Sequence, residues 1–332
     1  MRRARIRPVP FVIAAVAAFA LWAGKAAPAQ EYPNKPIRII VPYNAGGVVD
    51  SVGRLIAAHV AESVGQPVIV ENRPGASAMA GMQQCAQAPA DGHTTCLALP
   101  DPLYYNPLLF KTMPYDGARA FAPVINIGFT SNLLAANIKA PFDSYKEMIA
   151  YAKANPGKIN WGTWGPATLP DIYLRWLHAR TGAQMTGVAY RGAAQTNPAL
   201  ISGEIDVMYT GFGVAGRQID AKQVKPIVAL TGARSDYMPE LPTLAEQGDD
   251  PGMQSYFGLW TAAGTPKPAI DRLNREVTKA IAQANVQAAY KSFTMAFKPN
   301  TPEQFAAFMK EDGEAVARVF KRIGIEPTDA PQ

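Results

Sequence analysis

The sequence predicts an α/β protein built as two β/α lobes with a hinge between them. Three observations carry this. Residues 36–54, Pro-Ile-Arg-Ile-Ile-Val-Pro-Tyr-Asn-Ala-Gly-Gly-Val-Val-Asp-Ser-Val-Gly-Arg, read as a strand, a glycine turn and a helix start in direct succession. Strand and helix patterns then alternate through two separate units, residues 36–99 and 130–230. A last strand pattern, Ser255 to Thr261, is followed by two helices that lead the chain back. Alternation of this kind builds sheets covered by helices.

In the first unit, Ile37, Ile39, Ile40 and Val41 suit a strand buried in a sheet. Asn44-Ala-Gly-Gly47 is a tight connection, and Val52, Leu55, Ile56 and Val60 share one helical face between Asp50 and Val64. A helix N-terminus offers backbone N–H groups to anions. Two adjacent glycines let a ligand reach the main chain with no Cβ in the way, and they serve a tight turn equally well. Pro67 to Glu71 is a second strand, Asn72 to Ala76 a turn, and Ser77 the cap of a helix with Met79, Met82 and Ala86 inside. Thr94 to Leu99 makes a third strand, which completes a doubly wound β-α-β-α-β pattern. Pro100 to Pro123 reads as irregular and rich in aromatics (Tyr104, Tyr105, Phe110, Tyr115), a stretch that covers the lobe edge or lines a cleft.

The second unit opens with a strand over 130–140. Ser144-Tyr-Lys-Glu147 is a capping box, and its helix stops at Asn155-Pro-Gly157. Lys158 to Trp161, Gly187 to Tyr190, Ile205 to Tyr209 and Val224 to Leu230 read as strands, with helices between them. In the return, Thr265-Pro266 reads as an N-cap with proline at the first helical position, and Ile270, Leu273, Val277 and Ile281 share a face. Thr301-Pro-Glu-Gln304 is a second capping box.

Arg2, Arg3, Arg5 and Arg7, the short apolar run Phe11 to Ala23, and Ala27-Pro-Ala29 together read as a cleavable secretory signal peptide over residues 1–29. That leader changes the charge. The chain carries 32 basic and 26 acidic residues, and the leader holds five of the bases and no acid. Cleavage leaves 27 basic against 26 acidic residues, a net of +1, so the basic balance gives no support for nucleic-acid binding. Export to an oxidising compartment permits a disulfide between Cys85 and Cys96, with two buried thiols as the alternative.

Catalytic and metal patterns are missing. The three histidines, His59, His93 and His178, have no partner at metal-ligand spacing. Gly75-Ala-Ser77-Ala-Met79 breaks the nucleophile-elbow pattern at its last position. No phosphate-binding or dinucleotide fingerprint occurs, so no cofactor and no metal are expected. What remains is a set of loops after strands, where open α/β sheets bind ligands. The candidate contacts are Tyr43, Asn44, Ala45, Gly46, Gly47 and Asp50; Gly75, Ala76 and Ser77; Thr163, Trp164, Gly165 and Thr168; Tyr190 and Arg191; and Phe212. Donors dominate this set, which suits a carboxylate.

An ordered series of segments resembles the Bug receptors, the substrate-binding proteins of tripartite tricarboxylate transporters. It runs Tyr32-Pro-Asn-Lys-Pro-Ile-Arg-Ile-Ile-Val-Pro-Tyr43, Ala45-Gly-Gly-Val-Val-Asp50, Glu71-Asn-Arg-Pro-Gly-Ala76, Ala90-Asp-Gly92, Tyr151-Ala-Lys-Ala-Asn-Pro-Gly157, Tyr190-Arg-Gly192, Leu241-Pro-Thr-Leu-Ala-Glu-Gln-Gly248 and Gly264-Thr-Pro266. The resemblance implies the periplasmic-binding-protein (Venus flytrap) fold, a small organic carboxylate as ligand, integral-membrane permease subunits as partners and no enzymatic activity. It also implies that the loops Tyr43 to Asp50 and Gly162 to Thr168 hold the ligand carboxylate. Lobe 1 is then expected at 30–128 and 256–332 and lobe 2 at 129–255, in a monomer of the periplasm. Two departures stand out. Asp171 occupies the place where the family usually has histidine, and reads as a helix cap. Trp164 and Pro166 add bulk to the second-lobe loop. A periplasmic enzyme on the same scaffold, or a sensor subunit that presents ligand to a membrane kinase, are the alternative readings.

Overall fold

A computed structural model describes residues 32–330 apart from Ala167, Arg191, Asp236 and Ile325. The expected leader and the expected contact at Arg191 lie outside the described residues.

The first sheet starts from β1 (Ile37–Val41), β2 (Val68–Asn72) and β3 (Thr94–Ala98), with α1 (Val48–Val64) and α2 (Met79–Ala86) as the connections. Both β2 and β3 pair with β1 in parallel, so the three carboxyl ends lie along one edge. A π-helical turn (Asp101–Tyr105) and the short α3 (Asn106–Leu109) follow β3. β4 (Phe121–Thr130), β10 (Tyr256–Ala262) and β11 (Met295–Ala296) complete the sheet in the order β11-β4-β10-β3-β1-β2. α1 places Val52, Ile56 and Val60 in the same core as Leu273, Val277 and Ile281 of α8 (Lys267–Ile281). α9 (Ala284–Ser292) packs beside them, contributing Val286 and Tyr290.

The second sheet holds β5 (Asn132–Asn137), β6 (Asn160–Thr163), β7 (Thr186–Ala189), β8 (Val207–Gly211) and β9 (Val224–Ala229) in the order β7-β6-β8-β5-β9. β6 is parallel to both β7 and β8, which again lines up carboxyl ends. Its helices are α4 (Tyr145–Ala154), α5 (Leu169–Thr181), α6 (Ala193–Ser202) and α7 (Phe212–Asp220). α10 (Pro302–Ile323) closes the chain and packs against both β4 and α5.

The structure corrects the element reading in four places. The stretch expected to be irregular as far as Pro123 holds helical turns at its start, and its last three residues, Phe121 to Pro123, already belong to β4. Pro123 hides the strand in the sequence, and it sits beside a register shift in the β4–β10 ladder, where a missing N–H does least harm. Thr265 does not cap α8: its hydroxyl donates to the Ala262 carbonyl at 2.8 Å, and Pro266 takes the N-cap position. Ser77 does not cap α2, whose N-cap is Ala78 in a left-handed conformation. At α4, Ser144 accepts from the Glu147 N–H, but the Glu147 carboxylate reaches Asp143 N–H instead of the cap residue. The Thr301–Gln304 box at α10 is complete.

Only Ser131 separates β4 from β5, so one strand passes almost directly from the first sheet into the second. There the Thr130 and Ser255 hydroxyls meet at 2.7 Å and the Thr130 N–H donates to the Ser255 carbonyl, tying the outgoing and returning strands together. Cys85 and Cys96 are bridged with their Cα atoms 6.1 Å apart, and the bridge is buried in a core with Met82, Trp260 and Phe305.

Candidate functional site

The β1–α1 loop projects from the carboxyl edge of the first sheet, with Asn44, Ala45, Gly46 and Gly47 exposed. Asp50 is buried behind it. Its carboxylate accepts from the Gly46 N–H at 2.9 Å and from Asn72 at 3.0 Å, and pairs with Arg54 at 2.8 Å. Burial works against that charge, but the bonds from Arg54, Gly46 and Asn72 prevail and hold the carboxyl below its ordinary value. Asp50 therefore stiffens the loop from within. Tyr43 anchors its start: Leu99 N–H donates to the Tyr43 hydroxyl and Asn72 to its carbonyl, each at 3.1 Å.

The β2–α2 loop is the most strained backbone among the described residues. After Gly75, three consecutive residues, Ala76, Ser77 and Ala78, have φ of 46°, 52° and 70°. A left-handed conformation costs an L-residue about 1–2 kcal/mol. Such strain persists where the surroundings enforce it, and it concentrates at ligand clamps. Here Asn106 donates to the Ser77 carbonyl at 2.9 Å, and the Ser77 hydroxyl donates at 3.3 Å to the carbonyl of Pro166 in the opposing loop. The two lobes touch at this point.

That opposing β6–α5 loop carries Thr163, Trp164, Gly165 and Thr168. The Thr168 hydroxyl turns back to the Gly165 carbonyl at 2.8 Å, so α5 has no side-chain cap. Trp164 is half-buried and stands edge-on to Tyr209, with ring centroids 5.8 Å apart. Its indole N–H is buried without a partner among the described residues, as is the hydroxyl of Thr210 at the carboxyl end of β8. α1, α2, α6 and α7 also start without side-chain caps. Helix first turns leave N–H groups without an intrahelical partner. In α7 the Phe212 and Gly213 N–H groups go to the Ser131 carbonyl and the Thr294 hydroxyl, and in α2 the Met79 and Ala80 N–H groups go to the Ala76 and Gly75 carbonyls. That leaves α1 and α5 as the helix starts that face one another across the loops.

Other residues near the loops are engaged within the second lobe. Phe212, an expected contact, is fully buried in its core, and the neighbouring Trp161 is buried with its indole N–H on the Pro170 carbonyl. The Tyr190 hydroxyl bonds to Glu204 at 2.7 Å. Asp171 lies in the first turn of α5 and pairs with Arg175 at 3.0 Å; the cap position belongs to Thr168.

Behind the loops, sequence reading singled out Tyr105 only as one of several aromatics and missed Asp101, Asn106 and Asp312. Asp101, Tyr105 and Asn106 follow β3, and Asp312 faces them from α10. Burial raises the carboxyls of Asp101 and Asp312 from 3.8 to about 7. Between roughly pH 4 and 7 these groups hold protons when folded that they lose when unfolded, so they make stability fall as pH rises through that window. Glu71, held down to about 2 by Arg38, acts in the opposite sense only below the ordinary carboxylate range. His178, lowered by burial, also opposes, because its unfolded form takes up protons as pH falls through 6.5. Comparison with Asp101→Asn/Asp312→Asn isolates the pair. The stability advantage of the double variant over wild type, measured by denaturant unfolding, is expected to grow steadily from pH 4.5 to 7. A pH-independent difference would contradict this assignment.

Among the described residues no group of histidine, cysteine and carboxylate side chains is arranged to hold a metal, and no catalytic constellation is evident. No described helix is long and apolar enough to cross a membrane.

Two helix-flanked sheets, with loops from their carboxyl edges in contact, define a bilobed α/β fold of the periplasmic-binding-protein type. The model of the tripartite tricarboxylate transporter family receptor matches residues 52–325, and the chain belongs to that family. It is 31% identical over 285 residues to the UPF0065 protein in the tcbD-tcbE intergenic region of Pseudomonas sp. strain P51, covering 85% of this chain and 84% of that protein. Among solved structures, the periplasmic binding protein BugD is similar at 27% identity and a TM-score of 0.80, covering 90% of this chain and 100% of BugD. Rpa4515 of R. palustris, solved with adipate, is similar at 26% identity and a TM-score of 0.81, with the same coverage. The chain is a solute-binding receptor of the tripartite tricarboxylate transport type.

Proposed function

We propose that this receptor captures a small organic carboxylate between the β1–α1 and β2–α2 loops of one lobe and the β6–α5 loop of the other. The lobes close about the paired strands at Thr130, Ser131 and Ser255. The closed form, exported to the periplasm as a monomer, delivers its ligand to integral-membrane permease subunits. The observation that carries this reading is the gathering of uncapped helix N-termini and unpartnered donors, Trp164 Nε1 and Thr210 Oγ1, at the two sheet edges. An anion is what such a site favours. The adipate held by Rpa4515 supports a carboxylate as the ligand class.

Trp164 shapes the choice among carboxylates. It packs edge-on against Tyr209 and is only partly buried; in this reading its indole faces the ligand and takes up space that a branched tricarboxylate would need. An aromatic or short monocarboxylate fits better than citrate. An aromatic contact contributes about 0.5–1.5 kcal/mol beyond area burial, roughly tenfold in affinity. Calorimetry on wild type and Trp164→Ala tests this. We expect benzoate-like acids to bind the wild type more tightly than citrate does, and to lose roughly tenfold in the variant. Tight citrate binding by the wild type, or a variant that binds both ligands as the wild type does, would overturn it.

A further inference from the structure

Of the eight buried side chains with an unpartnered polar atom among the described residues, Asp101, Tyr105 and Asp312 act on one another electrostatically behind the loops, and a fourth, Asn106, follows Tyr105 in the chain and donates to the Ser77 carbonyl. Asp101 is 8% exposed, Asp312 5%, and Tyr105 and Asn106 not at all. They form one neighbourhood. Asp101 acts electrostatically on Tyr43 of the first loop and on Tyr209 beneath Trp164. Asp312 acts on Tyr104, Tyr105, Tyr173 and Tyr256. The Tyr105 ring stacks on Phe320 of α10, with centroids 6.2 Å apart, and the Tyr104 and Tyr256 hydroxyls satisfy each other at 2.7 Å. Residues from both lobes thus surround two carboxyls, and among the described residues no lysine or arginine acts on either.

A buried acidic pair with unpartnered oxygens calls for a donor, and a cation is the strongest one available. The phenol of Tyr105, unpartnered and acted on by both carboxyls, adds an acceptor beside them, and Asn106 brings an unpartnered amide oxygen from the next position in the chain. Main-chain N–H groups satisfy part of each carboxyl, that of Gln254 for Asp312 and its own for Asp101. One oxygen of each stays unpartnered, and the charged or polar side chains acting with them are, besides each other, tyrosines. The site therefore has opposite characters at its two ends, N–H donors at the loops and acceptors behind them.

We propose that Asp101 and Asp312, with Tyr105 and Asn106, form a subsite for an ammonium group, so that the preferred ligand is an amino-substituted carboxylate. The assignment rests on the carboxylate reading above and names the other end of the same ligand. The amine arrives as ammonium and donates to the Asp101 and Asp312 oxygens and to Tyr105, while its carboxylate meets the loops.

Matched ligands provide the test. Calorimetric affinities are measured for 4-(aminomethyl)benzoate against 4-methylbenzoate, and for 6-aminohexanoate against hexanoate, on wild type, Asp101→Asn, Asp312→Asn and Tyr105→Phe. In wild type at least one amino acid of a pair is expected to bind tenfold or more tightly than its amine-free partner. Either Asn variant should erase most of that preference and leave the amine-free affinity within about twofold. Circular dichroism and melting of each variant confirm folding, and Tyr105→Phe, which removes only one oxygen, serves if an Asn variant fails to fold. Amine-free acids that bind as well as their amino partners, or a preference that survives all three substitutions, would overturn the subsite while leaving the carboxylate reading intact. Failure of every carboxylate, with or without an amine, would instead count against the carboxylate reading itself, and the subsite would fall with it.

Discussion

Gly47→Val is expected to raise the ligand dissociation constant on the order of 100-fold, a loss of about 2.7 kcal/mol in binding, and to shift the melting temperature by no more than about 4 °C. The two loop glycines are not equivalent. Gly46 has φ of +88°, a conformation that any side chain strains, so its replacement harms fold and binding together. Gly47 has φ of −77° and ψ of 172°, open to every residue, and a Cβ there would meet only the Asn44 carbonyl at 3.9 Å. The fold does not ask for glycine at this position. Losing a glycine N-cap costs at most about 1 kcal/mol. What a valine would obstruct is the approach of a carboxylate to the N–H groups of the first turn of α1. Calorimetry and thermal melting of the same preparation decide the matter. A valine variant that binds as wild type does would remove the main chain of α1 from the site, and equal losses in both measurements would give Gly47 a structural role.

Replacing both Cys85 and Cys96 by alanine is expected to cost about 3 kcal/mol in denaturant unfolding. The bridge joins α2 to β3, closing a loop with a sequence separation of 11, and cross-links of that span restrict the unfolded chain by about this much. Both sulfurs lie in the core beneath Trp260, so the substitution also loses some packing. Reduced wild type provides the control. It should lose nearly as much as the double variant, because the thiols still fill the space. If the reduced protein unfolds at the same denaturant concentration as the oxidised one, the bridge contributes nothing.

Much of this fold is legible in the chain, for identifiable physical reasons. β1 shows as an apolar run, broken only by Arg38, because most of it is buried on both faces. α8 shows because Leu273, Val277 and Ile281 repeat at helical spacing. Thr301 and Gln304 announce α10 through a local hydrogen-bond pair that needs no tertiary context. β4 stays hidden because Pro123 breaks the pattern of a strand whose place is set by β10, far along the chain. The loops of the candidate site are legible because glycine marks them. The residues behind them are not, since Asp101 and Asp312 are separated in sequence and meet only once α10 folds back. Nor does the sequence distinguish an aromatic that lines a cleft from one that fills a core: Phe212 lies inside, whereas Trp164 is only partly buried.

Whether the touching loops of the two lobes form a carboxylate site is decided by titration calorimetry on the protein lacking residues 1–29, guided by a thermal-shift panel of mono-, di- and aromatic carboxylates. At least one small carboxylate is expected to raise the melting temperature in a concentration-dependent way, to bind one to one without being consumed, and to lose affinity in Gly47→Val. A panel in which no carboxylate stabilises the protein, or a hit that is turned over to product, would contradict it.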